Sequence, residues 1–250
     1  MNQKLIPMGP FERLVVLGES TVEGGGWIQG PEERFSDILW KQLETAQEQT
    51  INYHNAGVGA SVISPASPGY DASTKPSAAE RLDDEVIAKN PDLLLIAYGL
   101  NDMRAGMPHA DFRLELEKII NRIKERINPM IVIVNVYHMS AYHYYPPFDK
   151  GSLEKTQQYN AMLEAVAHEN KFVYADIWAA EGQRDHLINP DTVHANKVGN
   201  MIIANKIFEA IVLAAAGIVD NVNKRDATTK WTKGCLKIQQ QSVEKSHKSY

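Results

Sequence analysis

The sequence predicts an α/β fold in which five parallel strands form a sheet that is sandwiched between helices. Short, apolar runs alternate with longer helical patterns along the 250 residues. Parallel neighbours need crossover connections of this kind, and the connections are usually helical. Three of the short runs are nearly continuously apolar, as expected of strands that helices cover on both faces. These observations together indicate a parallel sheet with helices on each side.

The strand candidates are five runs of four to seven residues. The third reads DLLLIAY and the fourth reads IVIVNV, so both suit the interior of a sheet. The five predicted strands are 13–17, 51–55, 92–98, 131–136 and 172–175.

The helix candidates have recognisable first residues. Pro31 suits a first helical position, and Ser77 with Glu80 has the spacing of a capping box. Ser152 and Asn196 are plausible N-caps for the last two helices. The predicted helices are 31–47, 77–89, 111–127, 152–170 and 196–216.

This order predicts a three-layer α/β/α sandwich with a flavodoxin-like sheet. In such sheets ligands bind outside the carboxyl ends of the strands. Functional residues are therefore expected just after residues 17, 55, 98, 136 and 175.

The chain divides into a predicted domain over residues 1–217 and a basic extension over residues 218–250. Apolar periodicity fades after Gly217, which favours a peripheral or flexible segment. Residues 220–250 hold seven Lys/Arg and three Asp/Glu, a balance of +4. The whole chain carries -5, so residues 1–219 carry -9.

The composition also limits the partners. A net charge of -5 means that the chain has no overall excess of positive charge, so nucleic acid is not an expected partner. No run of eighteen apolar residues occurs, so no membrane span is expected, and residues 1–18 have no signal-peptide core. The single cysteine, Cys235, cannot form an intrachain disulfide, which fits a reducing, cytoplasmic location. The sequence leaves open whether the protein forms a homo-oligomer.

Three groups of residues that could carry chemistry follow three different strands. Ser20 follows the first strand, where a tight turn would expose its hydroxyl and its backbone N–H. Asn101 follows the third strand, and its side-chain amide could stabilise an oxyanion. Asp191 and His194 follow the fifth strand, three residues apart, so the carboxylate could hold one imidazole nitrogen and leave the other as a base.

Each signal alone has a simpler structural explanation. Ser20 could cap a helix, Asn101 could belong to a turn, and His194 could lie on the surface. However, a serine nucleophile needs a base, and its oxyanion needs donors. The three groups supply these complementary roles at the edge of the sheet where an α/β fold builds its site, which favours catalysis.

The blocks GESTVEGG, NAGVGAS, GLND and DTVH occur in this order and resemble those of the SGNH hydrolases, the GDSL-type esterases and lipases. The resemblance covers about residues 13–210 and implies the same three-layer fold. It also implies that Ser20 is the nucleophile and an oxyanion donor, and that Asn101 is a second donor. His194 would be the general base and then the general acid, with Asp191 orienting it.

Two positions depart from the pattern of that family. Glu19 stands where an aspartate is usual, for which altered packing is expected rather than lost activity. The second block normally supplies a glycine N–H to the oxyanion hole, and a gap-free match places Ala60 there, with Gly59 beside it. Either N–H could serve.

Further candidates concern the pocket. Trp27 could wall it, and Tyr137 and His138 begin an aromatic-rich loop after the fourth strand that could line an acyl or alcohol pocket, although an ordinary loop fits the pattern equally well. Neither a metal nor a cofactor is expected, because His138 and His143 have no third ligand nearby.

The leading hypothesis is hydrolysis of carboxylic esters, with short acyl groups, through an acyl-enzyme. The alternatives are O-deacetylation of a carbohydrate or glycan within the same family, and a non-catalytic binding module on the same fold. The expected partner is a small-molecule or glycan ester.

Overall fold

A computed structural model describes residues 9–247, with side chains described for residues 9–239. Residues 1–8 and residues 248–250 lie outside the described residues. The prediction that residues 1–18 hold no signal-peptide core therefore falls partly outside them. The strands are β1 (Arg13–Gly18), β2 (Asn52–Gly57), β3 (Leu93–Ala97), β4 (Met130–Val134) and β5 (Val173–Ala175).

The helices lie between and after these strands. Short turns of 3-10 helix cover Pro31–Glu33, Asp185–Leu187 and Ala216–Val219, and a π-helical turn covers Asp83–Ile87. The α-helices are α1 (Ser20–Glu23), α2 (Phe35–Gln47), α3 (Tyr70–Ser73), α4 (Ala78–Leu82), α5 (Leu100–Ala105), α6 (His109–Arg126), α7 (Leu153–Asn170), α8 (Ile177–Glu181), α9 (Lys197–Ala214), α10 (Asp220–Ala227) and α11 (Lys230–His247).

The five strands form one parallel sheet in the order β2-β1-β3-β4-β5, which confirms the predicted fold. Helix α2 packs along α9, and α6 packs along α7. The core lies in the sheet, where every residue of β4 and the first four of β3 are buried. Strand β2 is the least buried because it lies at an edge.

The chain runs from β1 to β2 on one side of the sheet and then to β3 on the other side. The carboxyl ends of β1 and β3 therefore flank the point where the strand order reverses, and such points form ligand crevices in open α/β sheets. Residues that follow β1 and β3 meet there.

The predicted helix starts are confirmed where a side chain caps its own helix, and they shift where no such cap forms. The capping box of Ser77 and Glu80 forms, and Ser152 and Asn196 cap α7 and α9. Pro31 instead starts a 3-10 turn, since Arg34 is extended and α2 begins only at Phe35.

The extension after Gly217 contains helices α10 and α11. Asn221 donates to the carbonyl of Gln47, and Arg225 pairs with Glu48, so α10 lies against the end of α2. Trp231 in α11 is 81% exposed.

Within the described chain, no single helix is long and apolar enough to cross a membrane. Lys197–Ala214 and Ala216–Ala227 together have the length and composition of a span, but they are bent by 96° relative to each other.

Candidate active site

Ser20 is held at the carboxyl end of β1 as the first residue of α1. The chain turns sharply here, and a Cβ at Gly18 would approach Val22 Cγ2 to 2.3 Å, so this position needs a glycine. Ser20 is 8% exposed and lies in the wall of a cleft. The turn thus presents its hydroxyl to the cleft from a rigid position.

Ser20, His194 and Asp191 form a continuous hydrogen-bonded chain. Ser20 Oγ lies 2.8 Å from His194 Nε2, and His194 Nδ1 lies 2.6 Å from Asp191 Oδ2. The other carboxylate oxygen, Asp191 Oδ1, accepts the backbone N–H groups of Val193 and His194 at 2.9 Å each. The carboxylate is therefore fixed, and it fixes the imidazole with Nε2 directed at the serine.

The surroundings of His194 favour its neutral form. Trp27 stacks on the imidazole, and its own carbonyl is held by the side chain of Asn189 at 2.8 Å. Burial lowers the pKa of His194, although the hydrogen bond to Asp191 acts in the opposite direction. A neutral imidazole is the form that can accept the serine proton.

Asn101 projects from α5 after the turn that ends β3. Its side-chain amide donates to the carbonyl of Ser61 at 3.0 Å and also lines the cleft. The amide nitrogen carries two hydrogens, so one is held by Ser61 and the second is available to a ligand.

Glu19 supports this turn from beneath. Its buried carboxylate accepts the backbone N–H groups of Gly99 at 3.0 Å and Asn101 at 3.2 Å. Burial raises the pKa of Glu19, and the nearby carboxylate of Asp102 raises it further. Burial likewise raises the pKa of Asp102 to about 7. Glu19 thus ties the β1 turn to the β3 turn, so it packs as a supporting residue.

Gly59 and Ala60 differ in what their N–H groups contact. The Gly59 N–H donates to Glu23 Oε2 at 2.7 Å. The Ala60 N–H has no acceptor among the described residues, and Ala60 lines the cleft with a φ of 60°. The Ala60 N–H is therefore the one that a ligand can use.

The cleft that joins these residues has a volume of about 440 Å³. Beside the residues described above, its lining includes Arg104, Tyr145 and Phe148. A larger groove of about 780 Å³ lies along α2 and Phe208 but contains none of the predicted site residues. Ser20, His194 and Asp191 therefore all lie at the smaller cleft.

Two of the three predicted pocket residues lie elsewhere. Trp27 lines the cleft, but Tyr137 and His138 do not. Tyr137 is buried and lines a different pocket together with Glu19. His138 Nε2 lies 2.7 Å from Asp185 Oδ1. The aromatic-rich loop after β4 contributes Tyr145 instead.

Arg104 and Phe148 were not predicted. Arg104 follows Asn101 by three residues on α5, a spacing that places two side chains on the same helix face, so the sequence did contain a signal for it. Phe148 follows a proline pair in a loop, and no local pattern indicates where it points. Among the described residues, no group of three or more His, Cys, Asp or Glu could hold a metal ion.

Comparison with known proteins gives one family and a set of similar folds. Residues 16–202 match the GDSL-like Lipase/Acylhydrolase family. A comparison with curated protein sequences gave no significant match.

Similar solved structures include the acetylxylan esterase Axe2 from Geobacillus stearothermophilus, with a TM-score of 0.61 and 19% identity over 82% of this chain and 96% of that chain. Catalytic mutants of Axe2 replace a serine, an aspartate or a histidine by alanine. Another is a lipolytic protein of the G-D-S-L family from Desulfitobacterium hafniense DCB-2, with a TM-score of 0.56 and 14% identity over 79% and 98% of the two chains.

Proposed function

The chain belongs to the GDSL-like lipase/acylhydrolase family of ester hydrolases, and we propose that it cleaves carboxylic esters through a covalent acyl-enzyme on Ser20. The observation that carries the proposal is the hydrogen-bonded chain from Ser20 through His194 to Asp191, with distances of 2.8 and 2.6 Å. The same cleft is lined by Ala60, whose N–H has no acceptor among the described residues, and by Asn101, whose amide has a second hydrogen beside the one held by Ser61, and these two groups support the proposal as oxyanion donors.

In the first half of the reaction His194 Nε2 takes the proton of Ser20 Oγ, which attacks the ester carbonyl carbon. The N–H groups of Ser20 and Ala60 and the amide of Asn101 hold the resulting oxyanion. When the intermediate collapses, the bond to the alcohol oxygen breaks, and that oxygen takes the proton from His194. The alcohol leaves and the acyl group stays on Ser20.

In the second half a water molecule attacks the acyl-enzyme, and His194 takes its proton. The new oxyanion is held by the same donors, and its collapse returns the proton to Ser20 Oγ and releases the acid. Asp191 keeps the imidazole oriented and stabilises its charged form in both halves.

Short acyl groups suit this cleft better than long ones. Three aromatic side chains share its lining with Glu23, Arg104 and several glycines. A long alkyl chain lying along the cleft would take water from the exposed carboxylate of Glu23, which is costly.

A second candidate is removal of O-acetyl groups from a saccharide. The favouring observation is the aromatic lining of Trp27, Tyr145 and Phe148 around an open cleft of about 440 Å³, which has room for a sugar ring. Acetylated xylo-oligosaccharides compared with p-nitrophenyl acetate, butyrate and octanoate would separate the two substrate classes by kcat/KM.

The test of the proposed function is the Ser20→Ala variant with p-nitrophenyl acetate. Turnover should fall to the background rate while the circular dichroism spectrum stays unchanged. Ser73→Ala is the matched control, because the Ser73 hydroxyl is buried with no hydrogen-bond partner in the described part of the chain and lies outside the cleft. Unchanged turnover in Ser20→Ala would refute the assignment. A folded wild type that neither hydrolyses esters nor reacts at Ser20 would favour a binding module instead.

A further inference from the structure

Arg104 is a buried cation in the wall of the catalytic cleft. It lies one helical turn after Asn101 on α5 and is only 5% exposed. Its side chain lines the same cleft as Ser20 and His194. A ligand positioned for attack by Ser20 therefore lies within reach of the same wall.

Part of this guanidinium has no hydrogen-bond acceptor among the described residues. One N–H on Nη2 donates to the carbonyl of Tyr144 at 3.2 Å, whereas Nε is buried without an acceptor among the described residues. No Asp or Glu in the described part of the chain forms an ion pair with Arg104, although Glu19 and Asp191 act on it at longer range. Buried charges are normally paired, and arginine remains charged at all ordinary pH values.

We infer that Arg104 binds an anionic group of the substrate, so that the preferred ester carries a carboxylate or a phosphate near the scissile bond. This inference rests on the proposed ester hydrolysis. The planar guanidinium fork matches the oxygens of either anion and forms charge-assisted hydrogen bonds to them. The anion supplies the charged partner that the described residues do not.

The other charge on the cleft wall is compatible with this assignment. Glu23 is exposed, and its carboxylate accepts the Gly59 N–H on the side of the cleft formed by α1. Because it faces water, its field is screened more than that of the buried Arg104. The negative charge of Glu23 disfavours an anion near Gly59. It therefore favours a substrate whose anionic end lies toward Arg104.

A purely structural role for Arg104 makes a different prediction. Its carbonyl accepts the N–H of Lys150 at 2.8 Å and its side chain holds Tyr144, so it anchors the loop that carries Tyr145 and Phe148. If anchoring were its only role, substitution would reduce the hydrolysis of charged and neutral esters in the same proportion.

The experiment measures kcat/KM for matched charged and neutral esters. One arm places the charge on the acyl part, with mono-p-nitrophenyl glutarate against p-nitrophenyl butyrate. The other places it on the alcohol part, with 4-acetoxybenzoate against its methyl ester, or with 4-acetoxyphenyl phosphate. The enzymes are wild type, Arg104→Lys and Arg104→Met. Arg113→Met is the control, because Arg113 on α6 lies outside the cleft and pairs with Glu117 of the same helix and with Glu169 of α7.

In at least one arm the wild type should prefer the charged ester by about tenfold or more at low salt, since a charge-assisted hydrogen bond has about this effect. Arg104→Met should remove the preference, Arg104→Lys should keep part of it, and Arg113→Met should keep all of it. In the wild type alone, 0.5 M NaCl should reduce the preference, which provides a test even if the Arg104 variants do not fold.

A wild type that prefers neutral esters in every arm, or a preference that persists in folded Arg104→Met, would overturn the inference. In either case hydrolysis of the neutral esters would leave the proposed function intact. If no ester were hydrolysed and Ser20 did not react, both would fail.

Discussion

Trp27 lies flat on His194, with ring centroids 3.6 Å apart and planes 6° from parallel. The indole keeps water from one face of the imidazole and limits its rotation. The base of the proposed mechanism is therefore positioned by a contact across the cleft as well as by Asp191.

The first prediction concerns this contact. Because burial lowers the pKa of His194, the wild type should keep its neutral base, and thus its kcat/KM, to a pH below the ordinary histidine pKa of 6.5. In Trp27→Ala the imidazole is more exposed to water, so the pKa of His194 should rise. On acidification, the variant should therefore lose activity at a higher pH than the wild type. The rate at pH 8 should also fall about tenfold or more, since the imidazole is less well oriented.

The measurement is the pH dependence of kcat/KM, with Trp231→Ala as control because Trp231 is 81% exposed. If kcat/KM of Trp27→Ala fell at the same pH as that of the wild type, or at a lower pH, Trp27 would not be what lowers the pKa of His194.

The second prediction separates the Ala60 and Gly59 N–H groups. Replacing Ala60 by lactic acid through nonsense suppression exchanges its N–H for an ester oxygen and keeps the side chain. This change should reduce kcat by about 10²–10³, the usual effect of one oxyanion donor. The same exchange at Gly59, with glycolic acid, should change kcat only a few-fold, because that N–H already donates to Glu23. The reverse order of effects would assign the oxyanion contact to Gly59.

The third prediction concerns the side-chain donor. Asn101→Ala should lower kcat by about 10²–10³ with a smaller change in KM, because the amide contact strengthens as the oxyanion forms. Asn205→Ala, at the exposed contact with Gln42, is the control. A loss confined to KM would argue that Asn101 binds the ground state rather than the intermediate.

The fourth prediction concerns stability and pH. The pKa of Glu19 is raised in the folded state, mainly by burial, so the folded protein binds more protons than the unfolded chain. This contribution to stability is present at low pH and is lost as pH rises through the folded-state pKa. Glu19→Gln removes the titration, and its amide oxygen can still accept the N–H groups of Gly99 and Asn101.

The melting temperature of Glu19→Gln minus that of the wild type should therefore increase from pH 5 to pH 8. A change of about 1 kcal/mol would appear as roughly 2–4 °C for a chain of this size. A difference that is constant with pH, or that decreases, would show that Glu19 does not lose this stabilising proton. Scanning calorimetry at matched ionic strength is the suitable measurement.

The sequence predicted those parts of the site that depend on local spacing or on strand ends. Asp191 and His194 are three residues apart before a helix, and Ser20 and Asn101 follow strands that flank the point where the strand order reverses. Topology alone brings such residues together.

The sequence did not predict contacts that depend on tertiary packing. Tyr137 was expected in the pocket but is buried beside Glu19, because the chain stays in the core for a few residues after β4 ends at Val134. The choice between Gly59 and Ala60 depends on Glu23, which is 36 residues away in the sequence. Arg104 was missed because a buried, unpaired arginine is rarely expected.

Ser20 is the proposed nucleophile, and covalent labelling is the most direct test of that role. Folded wild-type protein is treated with a fluorophosphonate at pH 7.5, and intact mass and peptide mapping locate the adduct. One adduct per chain is expected, on Ser20, which is absent in Ser20→Ala and forms much more slowly in His194→Ala. An enzyme that hydrolyses esters while Ser20 stays unmodified, or equal labelling of Ser20→Ala, would contradict that role.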